Sequence, residues 1–240
     1  MITTIAKVKS GVEGFDQLLD GGFPIGRSYL VSGEPGTGKT IFSLQFLLEG
    51  LKSGENCVYV SIDEKPENII LDAESLGWDL KPFLDRGRLH FLDVTDYFSS
   101  PKVASSEGID VQKVVNHILE FIQQKNARRV AIDPVSPLVF TDNSVPDVVE
   151  YIRQLIIKLE DLETCTTLLT SYVPVGSDKV SQHGIEEFAS SGIILLKLNK
   201  LNNRFTRTIR IRKMRRTKMD LTEYSYDILL ERGLVLRQPV

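Results

Sequence analysis

The chain has little cysteine: two in 240 residues, Cys57 and Cys165, far apart and in no C-x-x-C pair. That excludes a disulfide framework and a zinc site built on paired cysteines. Cys57 stands in a strand-like run, so a small buried side chain is expected of it. Histidine is equally scarce, with three. His90 beside a strand and His117 on a helix have no partner at metal-ligand spacing and are expected to be structural or surface residues. No apolar run approaches the ~20 residues that would span a bilayer. Met1 to Ser10 has no apolar core followed by a small-residue cleavage site. A cytoplasmic protein with no membrane partner is expected. Internal repeats and low-complexity tracts are absent, and the polar stretch from Ser99 to Gly108 reads as a loop within a domain. The net charge of −3 gives no global attraction to nucleic acid, so such binding would need a local patch. Hydrophobic content of 42% and charged content of 25% suit a globular chain, and the length suits one domain over residues 1–240.

What is present is a phosphate-binding pattern. Gly33-Glu34-Pro35-Gly36-Thr37-Gly38-Lys39-Thr40 matches G-x-x-x-x-G-K-[ST] at every fixed position. A random chain of this length meets that pattern roughly once in a hundred tries. The context sharpens it: Arg27 to Ser32 reads as a short buried strand, and Ile41 to Leu51 has apolar residues at helical spacing with Gly54 as a stop. The glycines permit a turn that a Cβ would obstruct. Successive amides from Gly36 to Thr40, with Ile41 in the following turn, form an anion nest at a helix N-terminus. Lys39 is expected to reach the β- and γ-phosphates, and the Thr40 hydroxyl to sit on Mg²⁺.

Further strands and helices alternate along the chain. Strands are expected at 56–62, 89–92, 129–133 and 166–170, and helices from Pro66, over 110–122 and over 147–162. A short helix is expected at 14–19, with Phe15, Leu18 and Leu19 on the core. After a long polar loop from Val173 to Phe188 the pattern turns to strands only. These are 192–198, a hairpin at Asn202-Asn203, 205–213, and two short strands at 224–230 and 234–236. The fold class that follows is α/β: a mostly parallel twisted sheet with helices on both faces and a C-terminal antiparallel hairpin extension.

Several polar residues end these strands. Asp63 and Glu64 close the second strand beside the phosphate site. They are candidates to orient or deprotonate the attacking water, or else helix N-terminal charges that complement the macrodipole. Asp133 ends an apolar strand, where an acid holds Mg²⁺ through its water shell in phosphate-loop enzymes. Ser171 ends another, either near the γ-phosphate or as a plain strand end. The returning strand of the late hairpin is strongly basic, from Arg204 to Lys218. Three readings fit it: an edge charged against aggregation, a patch for nucleic acid, and a cationic finger, Lys213 and Arg215, reaching a neighbouring subunit's nucleotide.

Taken together the chain resembles a single-domain member of the KaiC-like branch of the RecA/RadA ATPase superfamily. The resemblance rests on Gly11 to Gly26, the phosphate loop with Gln45-Phe46-Leu47, Val58 to Ser61 leading to Asp63-Glu64, Ile132-Asp133, His183 to Phe188 and Lys213-Met214-Arg215. It implies a RecA-like fold, ATP and Mg²⁺ as ligands, and a homo-oligomeric, hexameric ring with nucleotide between subunits. Lys213 and Arg215 would then act on a neighbour's γ-phosphate. The acid pair of the family is normally two glutamates, so Asp63 shortens the first by one methylene, which slows turnover or passes the role to Glu64. Arg216 stands where glycine is common. The expected function is a Mg²⁺-dependent ATPase. The alternative is a nucleotide-gated module of low turnover that binds single-stranded DNA or a protein partner.

Overall fold

Apolar strands of alternating parity need cover on both faces, and this chain supplies it. The computed structural model describes residues 5–99, 111–135, 145–177, 179–181, 190–201 and 204–240, the side chains of 98–99, 145–149 and 201 aside. The readings that rest on Asp110, Pro137, the side chain of Val148, residues 183–188 and Asn202-Asn203 lie outside the described residues.

The elements run β1 (Lys7–Val8), β2 (Phe23–Pro24), β3 (Ser28–Gly33), α1 (Lys39–Lys52), β4 (Cys57–Ser61), α2 (Pro66–Ser75), α3 (Lys81–Asp85), β5 (Leu89–Asp93), α4 (Thr95–Ser99), α5 (Val111–Gln124), β6 (Arg129–Asp133) and α6 (Val145–Glu160). Then come β7 (Thr166–Tyr172), β8 (Gly192–Leu201), β9 (Arg204–Met214), β10 (Tyr224–Leu229) and β11 (Gly233–Pro239). The expected helix at 14–19 is a shorter 3-10 turn, Asp16–Leu19, with Phe15, Leu18 and Leu19 buried as expected. Gly14 and Gly21 flank it at positive φ, which confines the helical stretch.

A nine-stranded sheet has the order β11-β10-β9-β8-β3-β7-β6-β4-β5. From β8 to β5 all neighbours are parallel, and β9, β10 and β11 add on antiparallel. Side-chain parity builds two cores. Tyr29, Val31, Tyr59 and Leu168 pack on the side of α1. Leu30, Val58, Val60 and Leu169 pack on the other, under α5 and α6. The apolar stripe expected of the 110–122 helix, Val111 to Ile122, is buried there. Each such side chain contributes about 1.5–3 kcal/mol on burial.

One irregularity matters for the basic strand. Ile194 pairs with Ile211 but Ile193 pairs with Lys213, so Arg212 is the extra residue of a bulge. The bulge restores Met214 to the core face with Ile209 and Ile211. Phe205 has the parity of Ile209 but lies beyond the core and is exposed.

Candidate functional site

The phosphate loop joins the C-terminal end of β3 to α1 at a point where β3 has β7 on one side and β8 on the other. Chain connections leave in different directions there, which opens a crevice beyond the strand ends. Gly33 is extended, and a Cβ on it would meet the Leu196 carbonyl oxygen at 2.4 Å. Gly36 and Gly38 have φ of 79° and 90°, where an L side chain is strained. Gly38 is the N-cap of α1, and the first closing bond runs from Phe42 N–H to the Gly38 carbonyl at 2.9 Å. The amides of Lys39, Thr40 and Ile41 precede that bond and are the unpaired donors of the helix start. The Ile41 side chain itself turns to the core. Pro35 caps the outer rim of the turn and is exposed. Thr37 is buried, and its hydroxyl donates to the Glu34 carbonyl at 2.7 Å, which fixes the turn from within.

Lys39 is 6% exposed and folds back onto the loop. Its ammonium donates to the Gly33 carbonyl at 2.8 Å and the Glu34 carbonyl at 3.0 Å, and sits 4.6 Å over the Tyr172 ring. Burial pulls its pKa down to about 8 against the opposing pull of Asp133 and Glu34.

Asp133 ends β6, is 8% exposed, and lies on the α1 side of the sheet. Hydroxyls from both neighbouring strands donate to it: Tyr59 of β4 to Oδ2 and Thr170 of β7 to Oδ1. Burial first, and the Asp133 charge second, push the Tyr59 hydroxyl well above the ordinary phenol range, so it is a donor. Among the described residues no cluster of three His, Cys, Asp or Glu could hold a metal. Thr40 and Asp133 together supply hard oxygen donors, which fit a magnesium ion that keeps several waters and leans on the nucleotide's phosphates.

Thr40, Asp63, Glu64, Asn68, Asp133 and Tyr172 line one cleft of about 470 Å³, within the range of small-ligand sites. Asp63 and Glu64 stand exposed at its rim. Partial desolvation raises the Asp63 carboxyl, and the charge of Asp133 raises it further. Desolvation also raises Glu64, followed by Asp72 and Asp133, with the Asn68 side chain opposing. Both acids precede α2, whose N-cap is Lys65 with no side-chain cap bond. Ser171 is not the strand-end group that meets the cleft. It is fully buried, and its hydroxyl lies 3.4 Å from the Tyr172 carbonyl. Alternation along β7 turns the next side chain, Tyr172, to the cleft instead, and burial followed by Asp133 lifts its hydroxyl to about 12.

The basic strand divides between two places. Lys213 pairs with Ile193, which pairs with Leu30, three residues before Gly33 on β3. Strand rise and strand spacing put Lys213 roughly 14 Å from the head of its own phosphate loop. Its ammonium donates to the Ser190 carbonyl at 2.7 Å, and Arg215 is exposed next to it. Arg207, near the other end of β9, donates through Nε to the Gly36 carbonyl at 3.1 Å. Sequence reasoning missed Tyr59, Thr170, Tyr172 and Arg207. A tyrosine or threonine in an apolar strand reads as core, and an arginine in a basic run reads like its neighbours.

Known proteins resemble the chain over most of its length. The family described as "ATPase: KaiC" matches residues 8–239. The circadian clock oscillator protein KaiC of Synechococcus elongatus is 37% identical over 226 residues, covering 93% of this chain and 43% of that protein. The chain thus spans about two fifths of the length of the KaiC relatives it matches. The UPF0273 protein of Thermotoga maritima is 31% identical over 240 residues, covering 97% of this chain and 96% of that one. The crystal structure of a KaiC-like protein from Pyrococcus horikoshii superposes with a TM-score of 0.85 at 31% identity, covering 98% of this chain and all of that one.

Proposed function

Because the chain belongs to the KaiC family of ATPases, we propose that it binds and hydrolyses ATP with magnesium, as a single-domain cytoplasmic homo-oligomer with nucleotide between subunits. The observation that carries the reading is the convergence of Thr40, Asp133 and the acid pair on one cleft at the strand ends, with Lys39 over the Tyr172 ring that lines it.

The chemistry asked of such a site is positioning and charge stabilisation. The loop amides from Gly36 to Thr40 and that of Ile41 would receive the β- and γ-phosphate oxygens, with Gly33 and Pro35 shaping the approach. Lys39 would exchange its two carbonyl partners for phosphate oxygens, a charge-assisted gain over neutral acceptors. Thr40 and Asp133 would hold Mg²⁺, which when bound neutralises charge between the β- and γ-phosphates. Asp63 with Glu64 would orient the attacking water, and their raised pKa values suit groups that accept a proton. Lys213 and Arg215, turned away from their own loop, are suited to a neighbour's γ-phosphate.

Lys39→Ala is expected to abolish ATP binding in calorimetry at millimolar ATP and magnesium, and to reduce phosphate release to background. Unchanged binding would refute the site. A second reading, a nucleotide-gated module that contacts single-stranded DNA or a protein, is favoured by Asp63, which is one methylene short of glutamate. Tight ATP binding with near-zero phosphate release would select it.

A further inference from the structure

Tyr59 occupies a position where its hydroxyl is costly unless used. The side chain is fully buried in an apolar strand, and its ring packs 5.5 Å from that of Phe91. Phenylalanine would fill the same space without a polar atom to desolvate, and a buried hydroxyl left unpaired is destabilising. The hydroxyl is paired with Asp133, which lines the same cleft as Thr40. It thus holds one of the two groups that the ATP-binding reading gives to magnesium, and the inference rests on that reading.

Three adjacent strands produce this arrangement. Tyr59 pairs with Ala131 across β4 and β6, so it shares a face with Asp133 two residues on. Thr170, next to β6 on the other side, shares that face as well. An ionised carboxylate has about four acceptor sites. One hydroxyl on each oxygen leaves the remaining sites for water or a cation, and fixes the plane of the group.

We propose that Tyr59 is a positioning residue for the divalent cation. Its hydroxyl fixes the plane of the Asp133 carboxylate and so sets how strongly magnesium tightens nucleotide binding. Loss of the hydroxyl has two opposed effects. A carboxylate with one donor fewer attracts a cation more, yet it is free to rotate. Magnesium demands near-ideal octahedral geometry, so the orientational loss dominates. Partners of this kind typically contribute 10–100-fold to metal affinity.

The test uses the full chain with Tyr59→Phe, which keeps the ring packing. ATP binding is measured by calorimetry with magnesium and with chelator, and Mn²⁺ binding to the ADP-bound protein by electron paramagnetic resonance. Metal-free ATP affinity is expected to stay within about twofold of the parent, while the magnesium-dependent gain and the Mn²⁺ affinity fall about tenfold. Thr170→Val, which frees the same carboxylate from the other side, is expected to move the same two quantities in the same direction. It also serves if Tyr59→Phe folds poorly. A full magnesium gain in both variants, with Asp133→Asn losing it, overturns the inference alone. So does an equal fall with and without metal, the mark of a merely structural hydroxyl. If Asp133→Asn also keeps the whole gain, the assignment of Asp133 to the metal fails and takes this inference with it.

Discussion

Lys39 carries its ammonium in a place that disfavours charge. Burial lowers its pKa to about 8, while Asp133 and Glu34 pull the other way. It is therefore protonated below about pH 8 and loses its proton as the pH rises through that value. Phosphate favours the protonated form. ATP affinity is thus expected to be flat up to about pH 8 and to weaken above it, with proton uptake on binding near about pH 9 but little near about pH 7. Calorimetry in buffers of different ionisation enthalpy reads this directly. Affinity that stays flat to about pH 9 with no buffer-dependent heat would contradict it. The loop that places Lys39 was legible in the sequence, because its glycines dictate the backbone locally. The placement of its ammonium over a β7 aromatic was not, since the pattern does not specify Tyr172.

Among the elements, β6 and α1 are held together by a buried arginine. Arg129, 3% exposed at the start of β6, donates to the Phe46 carbonyl of α1 at 2.9 Å and to the Lys9 carbonyl at 2.7 Å. It pairs with Glu55 and lies 4.8 Å over the Phe46 ring. Removing it strands the buried Phe46 carbonyl, the partly buried Lys9 carbonyl and a partly buried carboxylate. Arg129→Ala is expected to destabilise the fold by about 3 kcal/mol in denaturant titration. Arg232→Ala, which breaks an exposed pair with Glu13, is expected to shift the midpoint hardly at all. Equal shifts would contradict the assignment of Arg129 to the core. Because α1 carries the phosphate loop and β6 carries Asp133, the same residue fixes the relative placement of both halves of the cleft. Sequence periodicity found both elements. It read Arg129 only as the start of a strand, since its partners come from positions 9, 46 and 55.

At the scale of the whole molecule, the sheet separates the cationic tripeptide from the phosphate loop of its own chain. Lys213 and Arg215 lie at the N-terminal end of β8, whereas the phosphate loop lies at the C-terminal end of β3. A role for them at the γ-phosphate therefore requires a second subunit. Arg215→Ala is expected to lower turnover and to be rescued by mixing with Asp63→Asn subunits. In mixed rings some interfaces then pair an intact acid with an intact arginine. Phosphate release that equals the sum of the separate variants would argue against action across an interface. No helix among the described residues is long and apolar enough to cross a membrane, in line with the apolar-run reading.

The sequence alone determined what is encoded within a few neighbouring residues. That covers the glycine turn, the helix behind it, the two-faced strands, and the switch from alternating to antiparallel strands. Local φ preferences and side-chain periodicity are short-range properties, and they survive in a linear reading. Only the tertiary structure decided which hydroxyls grip Asp133, that Tyr172 and not Ser171 faces the cleft, and that Arg207 and Lys213 part company on one strand. Those contacts join residues 74, 37 and 171 positions apart. They follow from strand order, pairing register and one bulge, quantities that the whole sheet settles at once.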